Sequence, residues 1–148
     1  MRAINAVRPI KSSGFDFNGT VKPIPAASGR DVSVRFDDNL HDLSLQGPLA
    51  VDFLEKHVEG IRALAYFSHM QTSLFGLPVM ISRTGYTGER GYEIFCRGQD
   101  APKIWDRILD EGKAMGIIPC RFTTLDLLRA ESYLPFYDPE EKRRSAKG

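Results

Sequence analysis

Two periods run along the chain, an alternation of apolar and polar residues in some stretches and a helical spacing in others. Asp31 to Arg35 alternates, with Val32 and Val34 on one side, and Asp42-Leu43-Ser44-Leu45 is a second extended run leading into Gln46-Gly47-Pro48. Such alternation sends successive side chains to opposite faces, so this stretch is read as a strand ending at a tight turn. Pro48 suits the first turn of a helix. Ala50, Phe53, Leu54 and Val58 then recur at helical spacing until Gly60 stops them. Ala65 to Leu74 is read as extended, Phe75-Gly76-Leu77-Pro78 as a turn and Val79-Met80-Ile81 as a strand, which predicts a hairpin from Tyr66 to Arg83. Tyr92-Glu93-Ile94-Phe95 is a further strand.

Asp100 stands where a helix cap is needed and Pro102 in the first turn behind it. Ile104, Trp105, Ile108, Leu109 and Met115 make the apolar stripe of that helix, which Gly116 ends, with Trp105 a core residue. Ile117 to Phe122 is a short strand. Thr123 to Asp126 has the form of a capping box, opening a last helix that runs to about Tyr133. The order is strand, helix, hairpin, strand, helix, strand, helix. It predicts an α+β fold, a ferredoxin-like βαββαβ sheet with helices on one face. Residues 1–30, rich in Pro, Gly and Ser, are read as an irregular arm with a short strand at Thr20-Val21-Lys22, residues 31–138 as one domain and residues 139–148 as a charged tail.

Charge and composition narrow the partners. Lys and Arg number 20 against 19 for Asp and Glu, so the balance gives no footing for nucleic acid or an anionic membrane. No apolar run approaches a membrane span and the start lacks a secretory stretch. A soluble cytoplasmic protein is the expectation. Cys96 and Cys120 have no zinc-site spacing and read as buried thiols, with a single disulfide as the alternative. His41, His57 and His69 are scattered, without a second ligand at helical spacing, so no metal site is expected.

The densest chemistry lies between two strands, in Ile81-Ser82-Arg83-Thr84-Gly85-Tyr86-Thr87-Gly88-Glu89-Arg90-Gly91. A solvated turn would account for the glycines and charges. Glu93 argues for more. On its strand it shares a face with Phe95, while Tyr92, Ile94 and Cys96 point the other way. A carboxylate beside an aromatic ring suits a flat heterocycle, held by stacking and by hydrogen bonds to an N–H edge. Tyr66 and Phe67 read as core aromatics, with a pocket wall as their other use.

Ser82 to Glu89, followed by Gly91-Tyr92-Glu93-Ile94, resembles the signature of the glycine-cleavage T-protein family, tetrahydrofolate-dependent aminomethyltransferases and their demethylase relatives. Leu43-Ser44-Leu45-Gln46-Gly47-Pro48 and Leu125 to Tyr137 agree with it in order and spacing. The match covers about Asp31 to Asp138, the middle of much longer proteins. The resemblance implies a domain of the same α+β kind, paired in full-length members with a second one and a C-terminal barrel. It also implies that Glu93 holds the pterin ring of tetrahydrofolate, a bidentate charge-assisted contact. Tyr86 and Tyr92 would support that pocket, with Arg83 bracing the loop or touching ligand and Tyr66 on the wall.

Two departures shape the expected function. Where the family has Ala-Arg-Asp, with an arginine that contacts folate, this chain has Thr124-Leu125-Asp126. The family's catalytic aspartate belongs to an N-terminal domain that these residues do not match, so the catalytic residue is unknown here and a complete active site is expected to need residues outside the chain. The leading expectation is a fragment or short member of a folate-dependent one-carbon transferase, taking an aminomethyl donor or the methyl group of an N- or O-methyl compound. The lost arginine tilts it toward the demethylases. The alternative is a non-catalytic folate-binding or assembly domain, although neither cysteine lies in the Lys-Gly-Cys-Tyr-x-Gly-Gln-Glu pattern of the iron–sulfur branch. A third is a chain that self-associates through surface left by missing domains.

Overall fold

A computed structural model describes residues 2–5 and 39–135. The expected strand at 31–35, the strand Thr20-Val21-Lys22 and the tail at 139–148 lie outside the described residues. Six strands form one sheet, β1 Arg2–Asn5, β2 Leu40–Gln46, β3 His69–Leu74, β4 Leu77–Ser82, β5 Gly91–Arg97 and β6 Ile117–Cys120, in the spatial order β3-β4-β5-β2-β1-β6. All neighbours are antiparallel except β1 and β6, which run parallel. Three α-helices, α1 Ala50–Leu54, α2 Ala101–Gly112 and α3 Phe122–Glu131, and two single 3-10 turns at Ile61–Ala63 and Lys113–Met115 complete the described fold. Setting β1 and β3 aside, the strands lie in the order β6-β2-β5-β4. The chain visits them as strand, helix, strand, strand, helix, strand, so the α+β fold is the ferredoxin-like one, widened by two strands. One of those, β1, falls in the stretch read from sequence as an irregular arm.

The alternation in the sequence becomes two faces. Leu43, Leu45, Val79, Ile81, Tyr92, Ile94 and Cys96 are buried on one of them. Phe53, Leu54, Ile104 and Ile108 from α1 and α2 join the same core. Each such side chain contributes roughly 1.5–3 kcal/mol on leaving water. A smaller contact ties the hairpin to the helices: the His57 ring lies 5.1 Å from Phe53 and 4.8 Å from Phe75, its Nε2 is 3.3 Å from Glu111, and the Arg107 guanidinium stacks 4.2 Å from Phe75. His57 is thus a packing residue at the core's boundary.

Several details differ from the expectation, each for a local reason. The hairpin turn is the two-residue Phe75-Gly76, with φ of 56° and 81°, so Leu77 and Pro78 already belong to β4. Positive φ at both positions matches the twist of paired strands. The stretch from Ala65 to Ser68 is a turn and not strand, held by Phe67 N–H to Arg83 O at 3.1 Å and Arg83 N–H to Ser68 O at 2.9 Å. Tyr66 and Phe67 are therefore not core, being 54% and 79% exposed, and Trp105 is only half-buried against it. Neither expected cap forms: Asp100 makes no side-chain cap, and α3 starts at Phe122 behind Arg121, ahead of the Thr123 to Asp126 box. Asp126 instead accepts from Arg129 Nε at 2.8 Å. Both cysteines are free thiols, and burial, helped by Asp100 and Asp42, pushes Cys96 up to about 11. No described helix is long and apolar enough to cross a membrane.

Candidate functional site

The second face of the sheet carries the polar half of each strand's alternation. Its register lines up Ser44, Glu93, Ser82 and His69 in one row and Asp42, Phe95, Met80 and Gln71 in the next. Glu93 is half-buried and accepts a hydrogen bond at Oε2 from Thr84 Oγ1. Thr84 and Ser82 hydroxyls are 2.8 Å apart. A hydroxyl has one proton, so with Thr84 donating to Glu93, Ser82 donates to Thr84. That relay orients the carboxylate and leaves most of its acceptor capacity for other donors.

Gln46 holds the glycine-rich loop against this row. It is buried to 5% exposure, and its Nε2 shares two N–H protons among three acceptors, Ser44 Oγ at 3.0 Å, Thr84 O at 3.2 Å and Tyr92 O at 3.3 Å, while its Oε1 accepts from Thr87 Oγ1 at 3.4 Å. The amide can lie there only because the backbone beside it is bare. A Cβ on Gly85 would meet Gln46 Oε1 at 2.1 Å and one on Gly91 at 1.8 Å. Gly91→Ala is accordingly expected to expel Gln46 and cost about 1–3 kcal/mol of stability by overpacking. Equilibrium urea unfolding checks this; a variant as stable as the parent would contradict it.

The far side of the loop is closed by the residues that follow α3. Ser132 Oγ donates to Thr87 O at 3.0 Å and Tyr86 OH to Pro135 O. Tyr86 thus braces the loop to the chain beyond α3. Arg83 braces it to the other side, donating from Nη1 to Leu64 O at 2.7 Å with its guanidinium 5.8 Å from the Tyr66 ring. Its buried Nε has no hydrogen-bond partner among the described residues. Tyr92 sits behind the sheet at 1% exposure, donating to Ile61 O at 3.4 Å. Of the residues singled out from sequence, Glu93, Arg83 and Tyr86 gather on or around the loop, Tyr66 flanks Arg83 in an exposed turn, and Tyr92 lies on the opposite face from Glu93.

Sequence reading passed over Asp42, Ser44, Gln46 and Thr84. The signal was present: Asp42, Ser44 and Gln46 alternate with Leu43 and Leu45, and the rule that turned Glu93 away from the core turns them the same way. Asp42 is the most perturbed carboxyl there. Burial, then the nearby charge of Glu93, pushes it up to about 7. Beside it, a groove of about 390 Å³ is lined by Leu40, Gln71, Pro78, Met80, Phe95 and Arg97.

Comparison with known proteins gives a consistent set. Residues 19–145 match the family described as GCVT N-terminal domain. The chain is 71% identical over 114 residues to the heme-dependent oxidative N-demethylase gamma subunit of Ectopseudomonas mendocina (strain ymp), an alignment covering 77% of this chain and 30% of that protein. It is 41% identical over 109 residues to an aminomethyltransferase of Geobacillus sp. (strain WCH70), covering 72% and 30%. An aminomethyltransferase of Anoxybacillus flavithermus (strain DSM 21510 / WK1) is 39% identical over 111 residues, with the same coverage. The matched segment therefore spans about 30% of each of these relatives.

Proposed function

Because the chain belongs to the GCVT N-terminal domain family, we propose that it is the tetrahydrofolate-binding part of a one-carbon transferase, on the demethylase side of that family. The observation that carries the reading is Glu93: a half-buried carboxylate, oriented by Thr84 and Ser82, beside Phe95 on the sheet face away from the core. It suits the fused ring of a reduced folate, whose adjacent ring N–H and amino group present parallel donors to one carboxylate. Phe95 offers the apolar surface for the ring and Gln46 fixes the loop above it. Tetrahydrofolate, when bound, supplies the amine nitrogens that take up the one-carbon unit. This chain's own residues bind and orient the ring.

The 71% identical relative is named an N-demethylase subunit, which favours a methylated amine as the source of the carbon over an aminomethyl donor. Leu125 standing where an arginine would contact folate points the same way. Haem is in that relative's name, but the imidazole in the Glu93 row, His69, is exposed on the outer strand β3 with Ser82 between it and Glu93, and Asp42, Ser44, Ser82, Thr84 and Phe95 offer no imidazole or thiolate for its iron. Donor binding and transfer are assigned to residues beyond these 148, and association with other subunits is part of the proposal. Exposed Phe122 and Leu127 on α3, 52% and 65% exposed, are apolar surface suited to it.

Ligand protection tests the reading. Tetrahydrofolate at about 100 times its dissociation constant is expected to stabilise the folded chain by roughly 2.7 kcal/mol. Thermal unfolding under anaerobic conditions measures this; an unchanged midpoint with saturating ligand would count against the proposal.

A further inference from the structure

We propose that Asp42 is a second recognition residue of the Glu93 site, a neutral carboxylic acid that donates a hydrogen bond to a carbonyl oxygen of the same heterocycle whose N–H edge Glu93 holds. This deepens the folate reading and rests on it. The register carries the argument. Asp42 faces Phe95 directly, and Ser44 faces Glu93, so Asp42 and Glu93 are diagonal neighbours, about 7–8 Å apart along the backbone. Phe95 borders both, across the strand from Asp42 and beside Glu93 on β5. A flat ring laid on Phe95 therefore meets Glu93 at one edge and Asp42 at the adjoining one.

Two further observations point to a ligand contact. Asp42 Oδ1 is buried and has no hydrogen-bond partner among the described residues. An orphaned oxygen of this kind costs free energy unless something meets it. The groove lined by Phe95, Met80 and Leu40 runs along residues that neighbour Asp42, Phe95 facing it across the strands and Leu40 two residues before it on β2. The groups around Asp42 also decide its protonation. Glu93 and Arg97 lie on its two diagonals on β5, Ser44 and Leu40 flank it on β2, Met80 and Gln71 continue its row, and the Cys96 thiol lies across the sheet. Arg97 is exposed, where solvent screens it, so burial of Asp42, and after it the nearby charge of Glu93, keeps the proton on Asp42 to about 7. A donor, donor, acceptor edge, the amino, N–H and carbonyl of a pterin, complements a carboxylate paired with a neutral acid.

The test combines a readout without ligand and one with it. Folded Asp42 holds its proton to about 7 against 3.8 for an ordinary aspartate. Between those values the folded chain binds more protons than the unfolded one, so stability falls as pH rises through that window. Asp42→Asn is expected to remove that part of the slope. In calorimetric titrations of the 148-residue chain, affinity for tetrahydrofolate should fall toward tenfold per pH unit above about 7, the behaviour of binding linked to one proton. Asp42→Asn, whose amide donates at every pH, should flatten this profile and keep the affinity, while Asp42→Leu should weaken binding at all pH. An unchanged stability slope in Asp42→Asn would overturn the proposal. So would folate binding that Glu93→Ala abolishes but whose pH profile Asp42→Asn leaves alone, and in that case the folate reading stands. A chain that shows the Asp42 slope and binds no folate at any pH would overturn both.

Discussion

Phe53→Ala is expected to lower the unfolding free energy by about 3–5 kcal/mol, the range for truncating a buried aromatic. Phe53 is 1% exposed on α1 and belongs to the core that joins this short helix to the sheet. With only five residues, α1 cannot persist through backbone hydrogen bonds alone, because helices this short do not repay their nucleation. Its stability comes from burying Ala50, Val51, Phe53 and Leu54. Truncating Phe53 removes the largest of these and the ring beside His57. Against a total of about 5–15 kcal/mol for a domain, the loss should be plain as a lower urea midpoint with unchanged slope. Phe67→Ala is the control: at 79% exposure it should change stability by less than about 0.5 kcal/mol. Equal effects of the two would mean that α1 is not packed as described.

Glu93→Ala is expected to weaken tetrahydrofolate binding by about 100-fold or more. Hydrogen bonds to a charged group contribute roughly 1.5–3 kcal/mol each, and the proposed bidentate contact would make two. Water filling the space returns part of this, and about 2.7 kcal/mol corresponds to a factor of 100. Stability should change little, because Glu93 is only half-buried and its one described partner is the Thr84 hydroxyl, which Ser82 still reaches. That separation of binding from folding distinguishes Glu93 from Gln46, whose loss would remove the bonds to Thr84 O and Tyr92 O that tie the loop to β5 and disturb both.

What could be read in the sequence follows from where the forces are local. Leu43 and Leu45, Tyr92 and Ile94, and Ile104 and Ile108 betray their elements because burial on one face imposes its period on the residues themselves. Glu93 was legible as the exception on an otherwise apolar strand. The turn at Ala65 to Ser68 was not, since it is held by the backbone of Arg83, well along the chain on the far side of the hairpin, and nothing nearby in sequence demands it. The capping box at Thr123 failed for a similar reason: α3 begins one residue before Thr123 and is anchored at its far end by Ser132 and not by a cap at its start. β1 was missed because its four residues, Arg2–Asn5, form a strand only by lying between β2 and β6. The glycines at 85 and 91 were visible, but their purpose, room for the Gln46 amide, needed the structure.

The most direct test of the account is isothermal titration of the purified chain with tetrahydrofolate under anaerobic conditions, with Glu93→Ala measured beside it. One site per chain is expected in the parent, and a loss of about 100-fold or more in a variant that remains folded. Equal affinity in the two proteins would contradict it, because a ligand that ignores the carboxylate is not held at the Glu93 site.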